Sequence, residues 1–145
     1  TSGTGIMYHV FDHYGDHVDI NFQSRKNGVL VSNAAGKTTA FSLWNLEDRG
    51  KMFLPPQTDI YEGMIVGIHT RDNDLIVNPT KAKQLTNIRA SGSDENIILT
   101  PHIRMSLEQA LEFIENDELV EITPHHIRLR KKLLTENERK RAGRA

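Results

Sequence analysis

Cysteine is absent from the 145 residues. That excludes a disulfide-stapled scaffold, a Cys-ligated zinc finger, an iron–sulfur protein and a thiol nucleophile, and it fits a reducing compartment. Also missing is any apolar run near the 18 or so residues that a spanning helix needs, and the N-terminus lacks the basic-then-apolar order of a signal peptide. A soluble, cytoplasmic protein with no membrane partner is expected. Charge of one sign is lacking too: 18 Lys and Arg face 19 Asp and Glu, a net charge of −1. This argues against a globally basic nucleic-acid binder but leaves the distribution of charge open. The length suits one domain or two small ones, enough to bury roughly 70% of the unfolded surface. The chain opens Thr1-Ser2-Gly3-Thr4-Gly5 without Met, as expected of a piece of something longer.

What is present reads as α+β, mainly β, with antiparallel strands and hairpins. Between residues 6 and 75, short β-branched runs are punctuated by Gly, Asn, Asp and Pro. Gly28–Ser32 and Thr38–Trp44 flank the turn-rich Asn33–Lys37 and predict a hairpin. Further strands are predicted at Ile65–His69 and Leu75–Val77, with a loop at Leu54–Gln57, where Pro55 and Pro56 remove ladder donors, and a turn at Asp72–Asp74. From Asn78 to Asn96 the chain is polar and without sustained period, a long loop of the kind that is either functional or a mobile connector.

Ser106 and Gln109 form a capping box opening one well-defined amphipathic helix, with Leu107, Ala110, Leu111 and Ile114 as its core-facing stripe. Leu119–Ile122 reads as a strand that Pro124 ends. Ile127-Arg128-Leu129-Arg130 alternates, which places Arg128 and Arg130 on one face of a strand and Ile127 and Leu129 on the other. A second capping box, Thr135 with Glu138, opens a short C-terminal basic helix.

Charge is strongly segregated. Residues 1–75 carry a net −3, residues 105–123 a net −6 and residues 124–145 a net +6. A basic patch on a near-neutral protein is the footprint of phosphate-backbone binding; a solvated terminal helix carries the same pattern, and spacing alone leaves both readings open.

Other motifs fit less well. Ala35-Gly36-Lys37-Thr38-Thr39 resembles the end of a P-loop, but Val31 stands where the first Gly is required and a strand follows instead of a helix. His9, His13 and His17 have the spacing of one helical face and could bind zinc, yet Gly15 interrupts them and Val18–Phe22 alternates like a strand. His125 and His126 sit at a turn beside the basic strand, either to meet phosphate or merely exposed. Phe41, Trp44, Phe53 and Tyr61 suit a core better than a base-stacking platform. No catalytic triad or carboxylate pair stands out, and no metal site is expected.

Several strings carry a family resemblance: Asn87-Ile88-Arg89-Ala90-Ser91-Gly92-Ser93-Asp94-Glu95, Met105–Ile114 and Asp117–Pro124, continued by Asp48-Arg49-Gly50-Lys51, Tyr61–Gly67 and Ile127–Lys131. Together they resemble the C-terminal region of the BipA/TypA translational GTPases over nearly the whole chain. The resemblance implies residues 1–25 as the tail end of an elongation factor G-like α+β domain and 26–145 as the family-specific C-terminal domain. It implies no catalysis and no cofactor in this chain, GTP and Mg²⁺ belonging to a GTPase domain outside it. It further implies a monomer that enters the ribosomal A site and meets 23S rRNA and the tRNA acceptor arm, in a parent linked to ribosome assembly, stress adaptation and virulence.

By that resemblance the loop 78–96 points into the ribosome, with Lys81, Lys83, Asn87 and Arg89 as RNA-facing donors, while Arg128, Arg130, Lys131 and Lys132 neutralise backbone phosphate. Ala82, Ser93 and Asn96 stand where Gly, Thr and Ala are usual; Ala82 disfavours a positive φ. A protein-interaction module using the acidic 108–121 face or the basic tail is the alternative, and a metal-dependent enzyme using His9, His13 and His17 a third.

Overall fold

The computed structural model describes residues 5–15, 25–82 and 97–143. In chain order the elements are β1 (Val29–Ser32), β2 (Gly36–Lys37), α1 (Ala40–Leu46), a 3-10 turn (Glu47–Arg49), β3 (Gly50–Met52), β4 (Asp59–Ile60), β5 (Met64–His69), β6 (Leu75–Val77), α2 (Leu107–Phe113), β7 (Glu118–Ile122), β8 (Ile127–Lys131) and α3 (Glu136–Ala142). The fold is α+β, as the sequence predicts.

β1 and β5 are buried nearly end to end, because the sheet they centre is covered on both faces. The period of two assigns the faces. Leu30, Met64 and Val66 pack with Leu43 and Leu46 of α1; Val29, Val31 and Ile65 pack with Ala110 of α2, and Phe113 and Ile114 close over them. β1 runs antiparallel to β5, Val31 opposite Ile65, and parallel to β6, Val31 opposite Ile76, so the sheet is mixed. The other edge of β5 is shared: β3 pairs with Gly67–His69, β8 with Met64 and Ile65. β7 then pairs with β8 from Glu118↔Lys131 to Ile122↔Ile127. A separate ribbon joins β2 to β4.

The segment expected to be the second strand of a hairpin, Thr38–Trp44, is mostly helix. Thr39 is the N-cap of α1 and its hydroxyl accepts from Ser42 N–H, while Ser42, Leu43 and Leu46 form a buried stripe. β1 therefore finds its partners in β5 and β6 instead of a hairpin neighbour. Trp44, expected in the core, is 49% exposed, whereas Phe53 and Tyr61 do pack against the core. The predicted strands at 65–69, 75–77 and 119–122 are found, as are both capping boxes. Along α2 the stripe departs from expectation: Ala110 is fully buried but Leu111 is 56% exposed, and Phe113 takes its place, edge-on to Phe53 at 5.5 Å. Residues 5–15 form neither helix nor strand.

At the join between the strand layer and the C-terminus, Gly63 adopts φ +85° and a Cβ there would lie 2.7 Å from Leu134 backbone. Only glycine fits such a position without strain.

Candidate nucleic-acid interface

The ends of the polar loop are firmly seated. Thr39 Oγ1 donates to the Lys81 carbonyl at 2.6 Å, Thr39 N–H to the Pro79 carbonyl at 3.1 Å and Ser42 Oγ to the Asn78 carbonyl at 2.7 Å. The chain returns beside the same helix, where Thr100 N–H donates to Glu47 Oε1 at 2.6 Å and Ile103 N–H to the Met52 carbonyl at 2.9 Å. α1 thus anchors the first flank, and its 3-10 extension, with β3, anchors the second. Of the donors named above, Lys81 is exposed at this base; Lys83, Asn87 and Arg89 lie outside the described residues, as do Ser93 and Asn96.

On β8 the alternation holds. Arg130 stands opposite Met64 and so shares the α1 side of the sheet, with Arg128 beside it; Leu129 is buried on the other side with Ile65. Arg128 faces Glu121 across the β7–β8 pair, with 3.7 Å between charged atoms. Glu121 also accepts from the Tyr61 hydroxyl; burial first, and then this bond, hold the phenol well above its usual range. Ile127, expected to pack, is 40% exposed at the end of the strand.

Lys131 is placed differently from the expectation. It falls on the packed side, two residues beyond Leu129, and its side chain is 3% exposed with carboxylates of Asp74 at 2.6 Å, Asp117 at 2.8 Å and Glu118 at 3.0 Å. Burial alone would lower its pKa, but these partners outweigh it and hold the ammonium charged above the ordinary lysine range. Arg25 completes the cluster. It grips Glu118 through two bonds of 2.9 and 3.0 Å and lies 4.3 Å over the Phe113 ring. Glu118 is itself buried, which would raise its carboxyl; Arg25 and Lys131 reverse that and keep it below the usual range. Lys131 therefore ties β8 to the β6 approach and the α2–β7 turn, and its ammonium is not presented to a ligand.

Lys132 is exposed. In α3, Arg139 turns back to donate to the Leu133 carbonyl at 2.9 Å, Lys140 pairs with Glu136 at 2.5 Å and Arg141 is exposed. The basic residues that β8 and the C-terminal segment leave at the surface are thus Arg128, Arg130, Lys132 and Arg141, with Lys81 exposed at the loop base.

A model of the TypA/BipA C-terminal domain matches residues 27–136. The chain belongs to that family. Proteins named large ribosomal subunit assembly factor BipA are 59% identical in Escherichia coli K12 over 145 residues, 59% in Salmonella typhimurium over 144 and 56% in Haemophilus influenzae over 144. All or nearly all of this chain aligns, but it spans only 24% of the Escherichia coli and Salmonella proteins and 23% of the Haemophilus one.

For a BipA-type domain, the remaining clusters are informative. Glu115, Asp117 and Glu118 come within 4.8 Å of one another, but Arg25 and Lys131 already answer their charge. His9 and His13 lie on the irregular 5–15 stretch, where His13 meets Asp12 at 2.7 Å; His17 lies outside the described residues. No helix among the described residues is long and apolar enough to cross a membrane. His102 and Arg104, which the sequence reading did not single out, line a cleft of about 710 Å³ together with His125, His126 and Arg128. No short motif marks them, because the two sides of the cleft are some 20 residues apart and meet only through β5.

Proposed function

We propose that this chain is the ribosome-engaging C-terminal module of a BipA-type large-subunit assembly factor. It binds RNA through the loop 78–96 and the basic edge of β8, in the ribosomal A site, against 23S rRNA and the tRNA acceptor arm. Lys81, Lys83, Asn87 and Arg89 contribute from the loop, Arg128, Arg130 and Lys132 from the strand. It performs no catalysis; GTP and Mg²⁺ act in another part of the parent. The module is a cytoplasmic monomer, and stress adaptation and virulence regulation follow from the parent's work on ribosomes.

The observation that carries this reading is the anchoring of the loop's first flank on α1 and its second on the adjoining 3-10 turn and β3, all packed on or belonging to the sheet that also carries Arg128 and Arg130. The sheet holds the two flanks of the loop and the strand in fixed relation, which supports a reading in which both engage one RNA surface. RNA of this kind is read by shape, phosphate and 2′-OH contacts, which needs no aromatic recognition motif. Replacing Arg128, Arg130 and Lys132 together by Ala tests it. Ribosome binding should weaken and the salt slope should fall by about two to three units; an unchanged slope removes the strand from the interface.

A further inference from the structure

We propose that the cleft between residues 102–105 and the β7–β8 turn is a receptor for one unpaired, phosphate-bearing nucleotide of RNA. The inference rests on the RNA-binding reading above and adds a site that none of its residues other than Arg128 belongs to.

The cleft opens where β3 and β8, which share one edge of β5, part from each other. Its volume of about 710 Å³ falls in the range of sites for small ligands. The floor is apolar: Ile65, Ala110 and Leu129 are buried there, with Phe53 and Met105 half-buried beside them. The rim is cationic or imidazole, formed by His102, Arg104, His125, His126 and Arg128; no Asp or Glu lines the cleft, and the carboxylate nearest Arg128 is Glu121, at 3.7 Å on the neighbouring strand. That absence is notable in a chain with 19 acidic residues, and it contrasts with Lys131, which three carboxylates surround.

Both walls are held in place. On one side, Thr123 and His126 close the turn through three bonds: Thr123 N–H and Oγ1 donate to the His126 carbonyl at 2.9 and 3.0 Å, and His126 N–H donates to Thr123 Oγ1 at 2.9 Å. On the other, Ile103 N–H is fixed to Met52, and Arg104 Nε donates to His102 Nε2 at 3.2 Å. Among the described residues Arg104 has no carboxylate partner, so its remaining guanidinium N–H groups are available to a phosphate.

Apolar floor and basic rim match the two halves of a nucleotide. The face of a base covers the floor and its phosphate meets Arg104 and Arg128. A base inside a duplex is stacked and hidden, so the cleft selects unpaired RNA.

The test titrates the isotope-labelled chain with 5′-phosphorylated tetra-adenylate RNA and, separately, with a blunt RNA duplex of about a dozen base pairs at equal total phosphate concentration, following His102, His125 and His126 ring resonances by NMR. The tetranucleotide should shift all three saturably, and the duplex should not. Arg104→Ala with His126→Ala, both exposed positions, should weaken tetranucleotide binding at least tenfold while leaving the amide spectrum folded. Equal binding of duplex and tetranucleotide would overturn the proposal, since surface charge alone would then account for it. Unshifted rings in a chain that still sediments with ribosomes would overturn the cleft and leave the ribosome-binding reading standing; failure of both would overturn the two together.

Discussion

Replacing Lys131 by Met should destabilise the fold strongly while leaving RNA affinity to other residues. The ammonium is buried among three carboxylates, one of which, Glu118, has a fully inaccessible side chain. Methionine fills a similar volume but leaves Asp74, Asp117 and Glu118 facing Arg25 as their one remaining cation in the cluster. Removing one partner of a buried ion pair costs about 3–5 kcal/mol, because the other charges stay behind without compensation. With a urea m-value of about 1–3 kcal/mol/M, the midpoint should fall by roughly 2 M. The effect also has a sign in pH. Glu118 titrates below its unfolded value in the native protein, so its contribution is present above the unfolded carboxylate pKa and is lost as pH falls through the folded one. In Lys131→Met that depression is smaller, and the stability gap to the native protein should narrow as pH drops from 6 toward 3. At the alkaline end, Lys131 itself titrates above its unfolded value, so its contribution persists up to the ordinary lysine range and fades only beyond it. Urea melts at pH 6, 4.5 and 3 measure this. An unfolding free energy within about 0.5 kcal/mol of native at pH 6, or a gap that does not narrow, would refute the account of the cluster.

Other outcomes follow from single contacts. Leu43→Ala should cost about 2–5 kcal/mol, since Leu43 is 2% exposed under the sheet, whereas Trp44→Ala, at 49% exposure, should cost far less; thermal melts separate them. Gly63→Ala, forced to φ +85° against Leu134, should cost about 1–3 kcal/mol by the same measurement. Ser106→Ala removes the cap of α2 and should cost about 1 kcal/mol, visible as faster amide exchange in Ala110 and its neighbours. Lys132→Ala should leave the melt unchanged while reducing the ribosome-binding salt slope by about one unit.

Elements whose periodicity matched their burial were legible in the sequence. β5 is a short β-branched run bounded by turn residues, and α2 and α3 announce themselves by capping boxes. α1 was obscured by β-branched Thr38 and Thr39 just before it; read through Leu46, the spacing of Leu43 and Leu46 after an N-cap Thr39 carries the helical signal. Lys131 shows how far alternation reaches. Period two puts it on the face of Leu129, and hence inside, but the carboxylates that make burial possible come from Asp74, Asp117 and Glu118, and only the folded register brings them together. Arg25, more than 90 residues before Glu118 in sequence, was equally invisible. The cleft belongs to the same class: Arg104 and His126 line one cleft because β3 and β8 share an edge of β5, a pairing that no local pattern encodes.

The central claim, that loop and β8 edge together form an RNA-binding surface, is tested most directly by sedimenting the chain with purified large ribosomal subunits across a salt series, beside Lys81→Ala/Lys83→Ala/Arg89→Ala. Binding that falls steeply with salt, with a slope reduced by about two to three units in the triple variant, is the predicted result. Binding of equal strength and slope in the two chains would contradict it.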